Sequence, residues 1–429
     1  MRDATTGVRP LGALRHCDFL LIAIGNMVSQ IGFWGQYVGV GWVAKRVLHG
    51  SNLLVTLAFG AQWLPMLLLS SITGVLADRY NRRLIVLWGN IAMVLPPAAL
   101  GLLVQTHHIS KGSLLALVSL TGIGQAFTQP AASALVPSLV PMADLHSAIA
   151  LNAGMVNATR IIGPSTFGLV TTTVGPEWGF YANAISYLAV AAACLFVRAR
   201  PPRPNASGHS VLNELRLGIA YARQQRAVLL LLLLIGTVSF LNMHPPLLAI
   251  WASDVLHGDA STFGLLAAAP GFGTVAAAAL TTSLATGRQR RAMLGISSFM
   301  IAIVLIGFAL SRTTVVSLVF LGLWGMFFTT LTTLISTLLV AASDDEYRGR
   351  VMGLLATCQL GAIPISAVVA GVSSTVFSAP TTVLGCAATI LVFSSWFFRK
   401  KNIHALRDGT EPKGDALVAT ADHGGGRSP

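Results

Sequence analysis

Twelve apolar runs of about 20 to 28 residues divide this chain, and nothing else limits its possible folds so sharply. They cover roughly 18–43, 52–76, 84–105, 113–137, 146–173, 178–198, 227–251, 261–286, 292–311, 314–341, 350–375 and 379–398. A helix needs about 20 apolar residues to cross a bilayer. The only other structure that satisfies its backbone in lipid is a closed barrel, whose strands would alternate in polarity. These runs do not alternate. Only 10% of residues are charged and 54% are hydrophobic, against roughly 25% charged in a soluble domain. The expected fold class is therefore an all-α polytopic membrane protein with twelve transmembrane helices.

Charge gives the topology. Of 28 Lys and Arg residues, 23 fall in segments that are cytoplasmic if the N-terminus is inside. Only Lys45, Arg46, Lys111 and Arg312 fall outside, and Arg160 lies within a span. The positive-inside bias thus predicts two cytoplasmic termini. The net charge of +13 is scattered over short loops, so it orients the chain and does not predict nucleic-acid binding. Met1 to His16 is short and basic, an arm and not a cleaved signal. The four cysteines stand singly and read as packing residues. His107-His108 lacks a third ligand, so neither metal nor cofactor is expected.

One composition break interrupts the pattern. Arg200-Pro201-Pro202-Arg203-Pro204 reads as a linker, followed by a short basic amphipathic helix over Val211 to Arg226. The expected organisation is an arm (1–17), a six-helix bundle (18–198), a linker with a basic helix (199–226), a second six-helix bundle (227–398) and a disordered tail (399–429).

Between the second and third spans lies Gly74-Val75-Leu76-Ala77-Asp78-Arg79-Tyr80-Asn81-Arg82-Arg83. Its pattern, G-x-x-x-D-R-x-x-R-R, resembles the cytoplasmic signature of the major facilitator superfamily. Leu284 to Arg291 follows the eighth span as a degenerate second copy without the aspartate, which supports two pseudo-symmetric halves. The resemblance implies alternating access, with Gly74, Asp78, Arg79, Arg82 and Arg83 as a conformational latch and Asp78 facing a helix N-terminus.

In the fifth span, Asn157-Ala158-Thr159-Arg160-Ile161-Ile162-Gly163-Pro164 leads into Gly168. The Gly163, Pro164 and Gly168 set resembles the gate motif of exporting members, and physically it describes a kinked, closely packed helix. Together with Trp42, Pro65, Asn183, Ser186 and Arg348-Gly349-Arg350, it is similar to the branch of enterobactin exporters and macrolide efflux pumps. That branch implies an exporter of a bulky organic molecule, a siderophore or macrolide-like drug, driven by the proton-motive force in a bacterial cytoplasmic membrane. A monomer is expected, and the lack of any in-span Asp, Glu or Cys-His pairing predicts no enzymatic activity. A lysophospholipid or other lipid transporter, and a transport-dead sensor, remain the alternatives.

By the same resemblance the first, fourth, seventh and tenth spans line a central cavity. The candidate substrate residues are Asn26, Gln30, Gln125, Gln129, Asn157, Arg160, Asn242 and Trp324. A charge at the depth of Arg160 costs about 2.5 to 3.5 kcal/mol on insertion scales. It either binds an anionic cargo or ties its helix to neighbouring carbonyls. No Asp or Glu lies mid-span, which leaves His244 as the candidate proton site.

Overall fold

The computed structural model describes residues 11–197, 211–242, 244–282 and 287–399. The side chains of Asp78, Arg79 and His244 lie outside that description. So do most of the expected arm, residues 199–210 of the linker, 284–286 of the second signature copy, and the expected tail from 400 onward.

Among the described residues the chain is helical throughout, without strands. The first bundle holds α1 (Cys17–Trp42), α2 (Asn52–Arg79), α3 (Arg82–Met93), α4 (Leu95–Gln105), α5 (Lys111–Leu135), α6 (Leu145–Thr173) and α7 (Pro176–Phe196). After α8 (Val211–Gln224), the second bundle holds α9 (Arg226–Phe240), α10 (His244–Ile250), α11 (Ala260–Thr282), α12 (Gly287–Leu310), α13 (Thr314–Ala342), α14 (Arg348–Val376) and α15 (Ala379–Phe397).

By length and composition nine of the described helices are fit to cross a membrane, or up to eleven if each of two bent pairs counts as one span. One such pair joins α5 to α6 at 114°. At 25 and 29 residues, each is about 37 Å or more long at 1.5 Å per residue and reaches across by itself. Their apolar character is diluted by the polar residues described below. The seventh span is broken between α9 and α10, just ahead of Pro245-Pro246, because proline denies the helix a backbone donor. α3 and α4 form one span with an irregular turn at Val94, before Pro96-Pro97. Counted this way the spans number twelve.

Caps mark where the runs stop. Ser51 accepts from the Leu54 amide, Ser110 and Ser113 form a reciprocal capping box, and Asn81 accepts from the Arg83 amide, each filling a donor that the helix start leaves open. The amphipathic helix expected after the linker is α8. Its Tyr221 stacks on Tyr347 at 4.4 Å and donates to Asp344 Oδ2 at 3.1 Å, and burial raises the pKa of its hydroxyl.

The bundles meet along two helix pairs, α2 with α14 and α6 with α11. All four carry an internal proline: Pro65, Pro364, Pro164 and Pro270. Each proline removes one intrahelical hydrogen bond, so each helix along which the halves meet has a weakened backbone ladder. Alternating directions put the start of α1, the α2–α3 turn and the end of α15 at one end of the molecule, here the terminal end. The loops after α1 and α10 lie at the far end.

Candidate functional site

Polar side chains in apolar helices collect where they can satisfy one another or a ligand. A cavity of about 250 Å³ opens between α1, α3, α5 and α6. Asn26, Gln30, Gln125 and Gln129, singled out from the sequence, all line it, joined by Asn90 and Asn152. Ser29, Thr128 and Ser133 add hydroxyls. No charged residue lines the cavity, and every lining residue belongs to the first bundle. Its walls come from the terminal half of α1 and the adjoining ends of α5 and α6.

Arg160 stands one turn further along α6 from Val156, a lining residue. Its guanidinium lies over the Trp34 ring at 5.1 Å, and Trp34 stands one turn along α1 from Gln30. Gly35 on α1 and Gly163 on α6 make this approach possible. A methyl group on Gly163 would sit 2.5 Å from the Ile31 carbonyl oxygen and 2.9 Å from Trp34 Cβ, so α1 and α6 touch backbone to backbone there. Ile162 and Leu169 of α6 are exposed. Arg160 is itself exposed and points about 200° round the helix from Ile162, at 100° per residue, so its charge turns away from that apolar face. Among the described residues it forms no ion pair.

A second polar cluster has a structural purpose. Asn183 Nδ2 donates to Gln36 Oε1 at 2.5 Å, and Gln36 Nε2 donates to Thr121 Oγ1 at 3.3 Å. Ser186 donates to Asn183 Oδ1 at 3.2 Å. Gln36, Thr121 and Asn183 are fully buried, so the chain ties α1, α5 and α7 together. Asn183→Leu removes the donor to Gln36 Oε1, at a cost of about 1–3 kcal/mol. The expected result is a drop of at least about 2 °C in the apparent unfolding temperature in detergent; an unchanged transition would contradict the structural role.

At the far end, α1 and α10 each finish in a π-helical turn, Val43–Val47 and Trp251–Val255. Both continue with the same four residues, Val47-Leu48-His49-Gly50 and Val255-Leu256-His257-Gly258, with His49 at φ 46° and His257 at φ 50°. The two turns grip each other. Lys45 Nζ lies 2.6 Å from Asp254 Oδ2 and 3.1 Å from Asn52 Oδ1. Arg46 donates to the Ser253 carbonyl at 3.4 Å, Asn52 to the Ser374 carbonyl at 3.2 Å, and Thr172 and Ser261 hydroxyls pair at 3.0 Å. All but the Lys45–Asn52 bond cross between the bundles, and together they close the far end.

The remaining candidates scatter. Arg83 Nη2 donates to the Leu195 carbonyl at 3.0 Å and its Nε to that of Cys194, while Arg82 donates to Ala134 at 3.2 Å. These bonds of Arg82 and Arg83 satisfy carbonyls near helix ends of the first bundle. Gly74 has open space around it. Pro164 and Gly168 face α11: a methyl on Gly168 would lie 2.7 Å from the Ala260 carbonyl oxygen. Asn157 is half-buried beside the cavity without lining it. Asn242 sits at the α9–α10 break with Oδ1 buried and unpartnered. Trp324 is 7% exposed and stacks on Phe328 at 4.8 Å in the second bundle's core. Sequence reasoning missed Asn90, Asn152 and the far-end contacts. The first two were visible as amides in apolar runs, and the last as a repeated Val-Leu-His-Gly.

Twelve spans in two bundles, with a polar cavity in the first bundle and contacts between the halves at the far end, define a membrane transporter of the major facilitator type. Residues 8–412 match the transmembrane secretion effector family model, and the chain belongs to that family. The staphyloferrin A transporter of Staphylococcus aureus is 22% identical over 386 residues, 89% of this chain and 94% of that protein. The enterobactin exporter EntS of Shigella boydii is 27% identical over 350 residues, 79% and 81% of the two chains. A bacterial homologue of the human lysosomal transporter Spinster, in an inward-facing and unoccupied conformation, superposes with a TM-score of 0.74 at 14% identity, covering 94% of this chain and 99% of its own. These relatives are transporters and not enzymes.

Proposed function

We propose that this protein exports a bulky organic anion of the siderophore kind across a bacterial cytoplasmic membrane by alternating access. The observation that carries this is the uncharged amide cavity with an unpaired Arg160 one turn beyond it, beneath a closed far end. The resemblance to siderophore exporters supports the same reading. The positive-inside bias makes the terminal end cytoplasmic, so the cavity faces the compartment from which an exporter loads. The domain boundaries at 18–198 and 227–398, a monomeric state, and rocking of the halves about the proline-bearing pairs belong to this proposal. So does a latch at Asp78. The cavity holds no carboxylate, so proton coupling rests on groups elsewhere, His244 among them.

Energised everted vesicles test it. A labelled tris-catechol siderophore should accumulate, collapse with a protonophore, and accumulate about tenfold or more slowly in Arg160→Gln, the scale of one lost hydrogen bond to a charged group. Equal accumulation by the variant would remove Arg160 from the binding site. Accumulation of a labelled macrolide alone would replace the cargo, and of neither compound would withdraw export.

A lipid cargo is the second reading. An apolar groove of about 350 Å³ between α11 and α13, lined by Leu265, Phe272, Val319 and Met326, favours it. Transfer of a labelled lysophospholipid between leaflets of reconstituted vesicles, with no siderophore uptake, would select it.

A further inference from the structure

The cavity and the Arg160–Trp34 pair differ in chemistry but adjoin in space. Six carboxamides line the cavity: Asn26, Gln30, Asn90, Gln125, Gln129 and Asn152. Each carboxamide both donates and accepts, so together they match hydroxyls and amides, which do the same. An acid group only accepts, and would leave their carbonyl oxygens facing like charge. The cavity is therefore suited to a neutral polar portion. Its volume of about 250 Å³ falls below the roughly 300–1,000 Å³ of a site for a whole drug-sized ligand. It holds a part of the cargo, about the size of one sugar ring.

Arg160 supplies what the cavity lacks. It is four residues beyond Val156 on α6, and Trp34 is four residues beyond Gln30 on α1, so both stand about 6 Å further along the helix axes. A guanidinium lying on an aromatic face keeps its edge N–H donors available, and those donors fit a planar acid group in a two-point grip.

We infer that the two parts form one bipartite site, selective for an organic anion whose acid group is tied, about one helical turn away, to a hydroxyl- or amide-rich neutral portion. This deepens the export reading and rests on it for the identity of the site as the cargo site. Every lining residue comes from the first bundle, as do Arg160 and Trp34. Recognition is therefore complete before the halves move, and binding is measurable without flux.

Two probes isolate the acid group: 4-methylumbelliferyl glucuronide and the matching glucoside, which share an aromatic ring and a sugar ring and differ in a carboxylate against a hydroxymethyl. Binding is read by thermophoresis of the full chain in nanodiscs. The glucuronide should bind about tenfold or more tightly than the glucoside. Arg160→Gln should bring the two within about twofold, and Arg160→Lys, which keeps the charge, should retain part of the preference. Gln129→Leu should weaken both ligands about equally, because it removes amide contacts shared by the two. Equal binding to the unaltered protein, a preference that survives Arg160→Gln, or no binding of either at about 10 mM would overturn the inference. A preference that behaves as stated while vesicles accumulate no siderophore would instead remove export and leave the bipartite site standing.

Discussion

Gly264→Leu is expected to stop transport while leaving the protein in the membrane. A methyl group at Gly264 would lie 2.5 Å from the Pro164 carbonyl oxygen and 3.1 Å from Gly168 Cα. Both neighbours are backbone, and neither can swing aside as a side chain would. The crossing of α6 with α11 therefore depends on two glycines facing each other across the bundles, the arrangement that lets membrane helices approach most closely. Overpacking a close contact costs typically about 1–3 kcal/mol, a factor of about 5 to 150 in the balance between two conformers. A leucine adds three more carbons than the methyl that already collides, so the upper end applies. Export in everted vesicles should fall by about a hundredfold. Gly154→Leu serves as the control, since nothing lies within 4 Å of a methyl placed there. Normal turnover by Gly264→Leu would mean that the bundles do not close along this line.

That crossing also shows what a sequence reveals and what it hides. Gly163, Pro164 and Gly168 stood out because their spacing is unusual in an apolar helix. Gly264, the partner, lies among small residues that look alike on paper. The same holds for the cavity. Asn26, Gln30, Gln125 and Gln129 were legible because amides at helical spacing mark one face, whereas Asn90 and Asn152 have no amide partner at helical spacing and acquire meaning only when three-dimensional packing brings them in. The twelve spans were legible because apolar length is a one-dimensional property. The breaks in the third and seventh spans were written in the Pro96-Pro97 and Pro245-Pro246 pairs.

Charge misleads in the other direction. Lys45 and Arg46 read as topological exceptions on the wrong side of the membrane, and Asp254 as a loop carboxylate. Contact across 209 residues of chain has no local signature. The repeated Val-Leu-His-Gly was the available signal, because two identical ends on the first and seventh spans are related by the same pseudo-symmetry that pairs the halves. Arg83 donates to carbonyls of its own bundle and Arg82 reaches the Ala134 carbonyl there, while the far end carries polar contacts between the bundles.

The far-end contacts lead to a test by charge exchange. Asp254→Lys should reduce export by about tenfold or more, and Lys45→Asp combined with Asp254→Lys should recover most of the loss. An isolated ion pair with one partner half-exposed is worth only about 0.2–1 kcal/mol, and Asp254 is 47% exposed. By itself it would not hold two bundles together. Lys45, however, is 15% exposed and also engages Asn52, which reaches on to the Ser374 carbonyl at the end of α14. Arg46, stacked on Trp42 at 5.5 Å, adds its bond to Ser253. Reversing Asp254 removes one attraction, sets two ammonium groups together and strands Lys45 in a half-closed site, a combined effect above the 1.4 kcal/mol that a tenfold change requires. The exchanged pair restores the attraction but not the contact with Asn52, so recovery should be incomplete. Because the pair is partly exposed, the defect of the single variant should shrink as salt is raised, since charges are screened over about 10 Å at 0.1 M. A double variant no better than Asp254→Lys alone, or a defect indifferent to salt, would mean that the loss comes from damage to the π-turn and not from the ion pair that joins the halves.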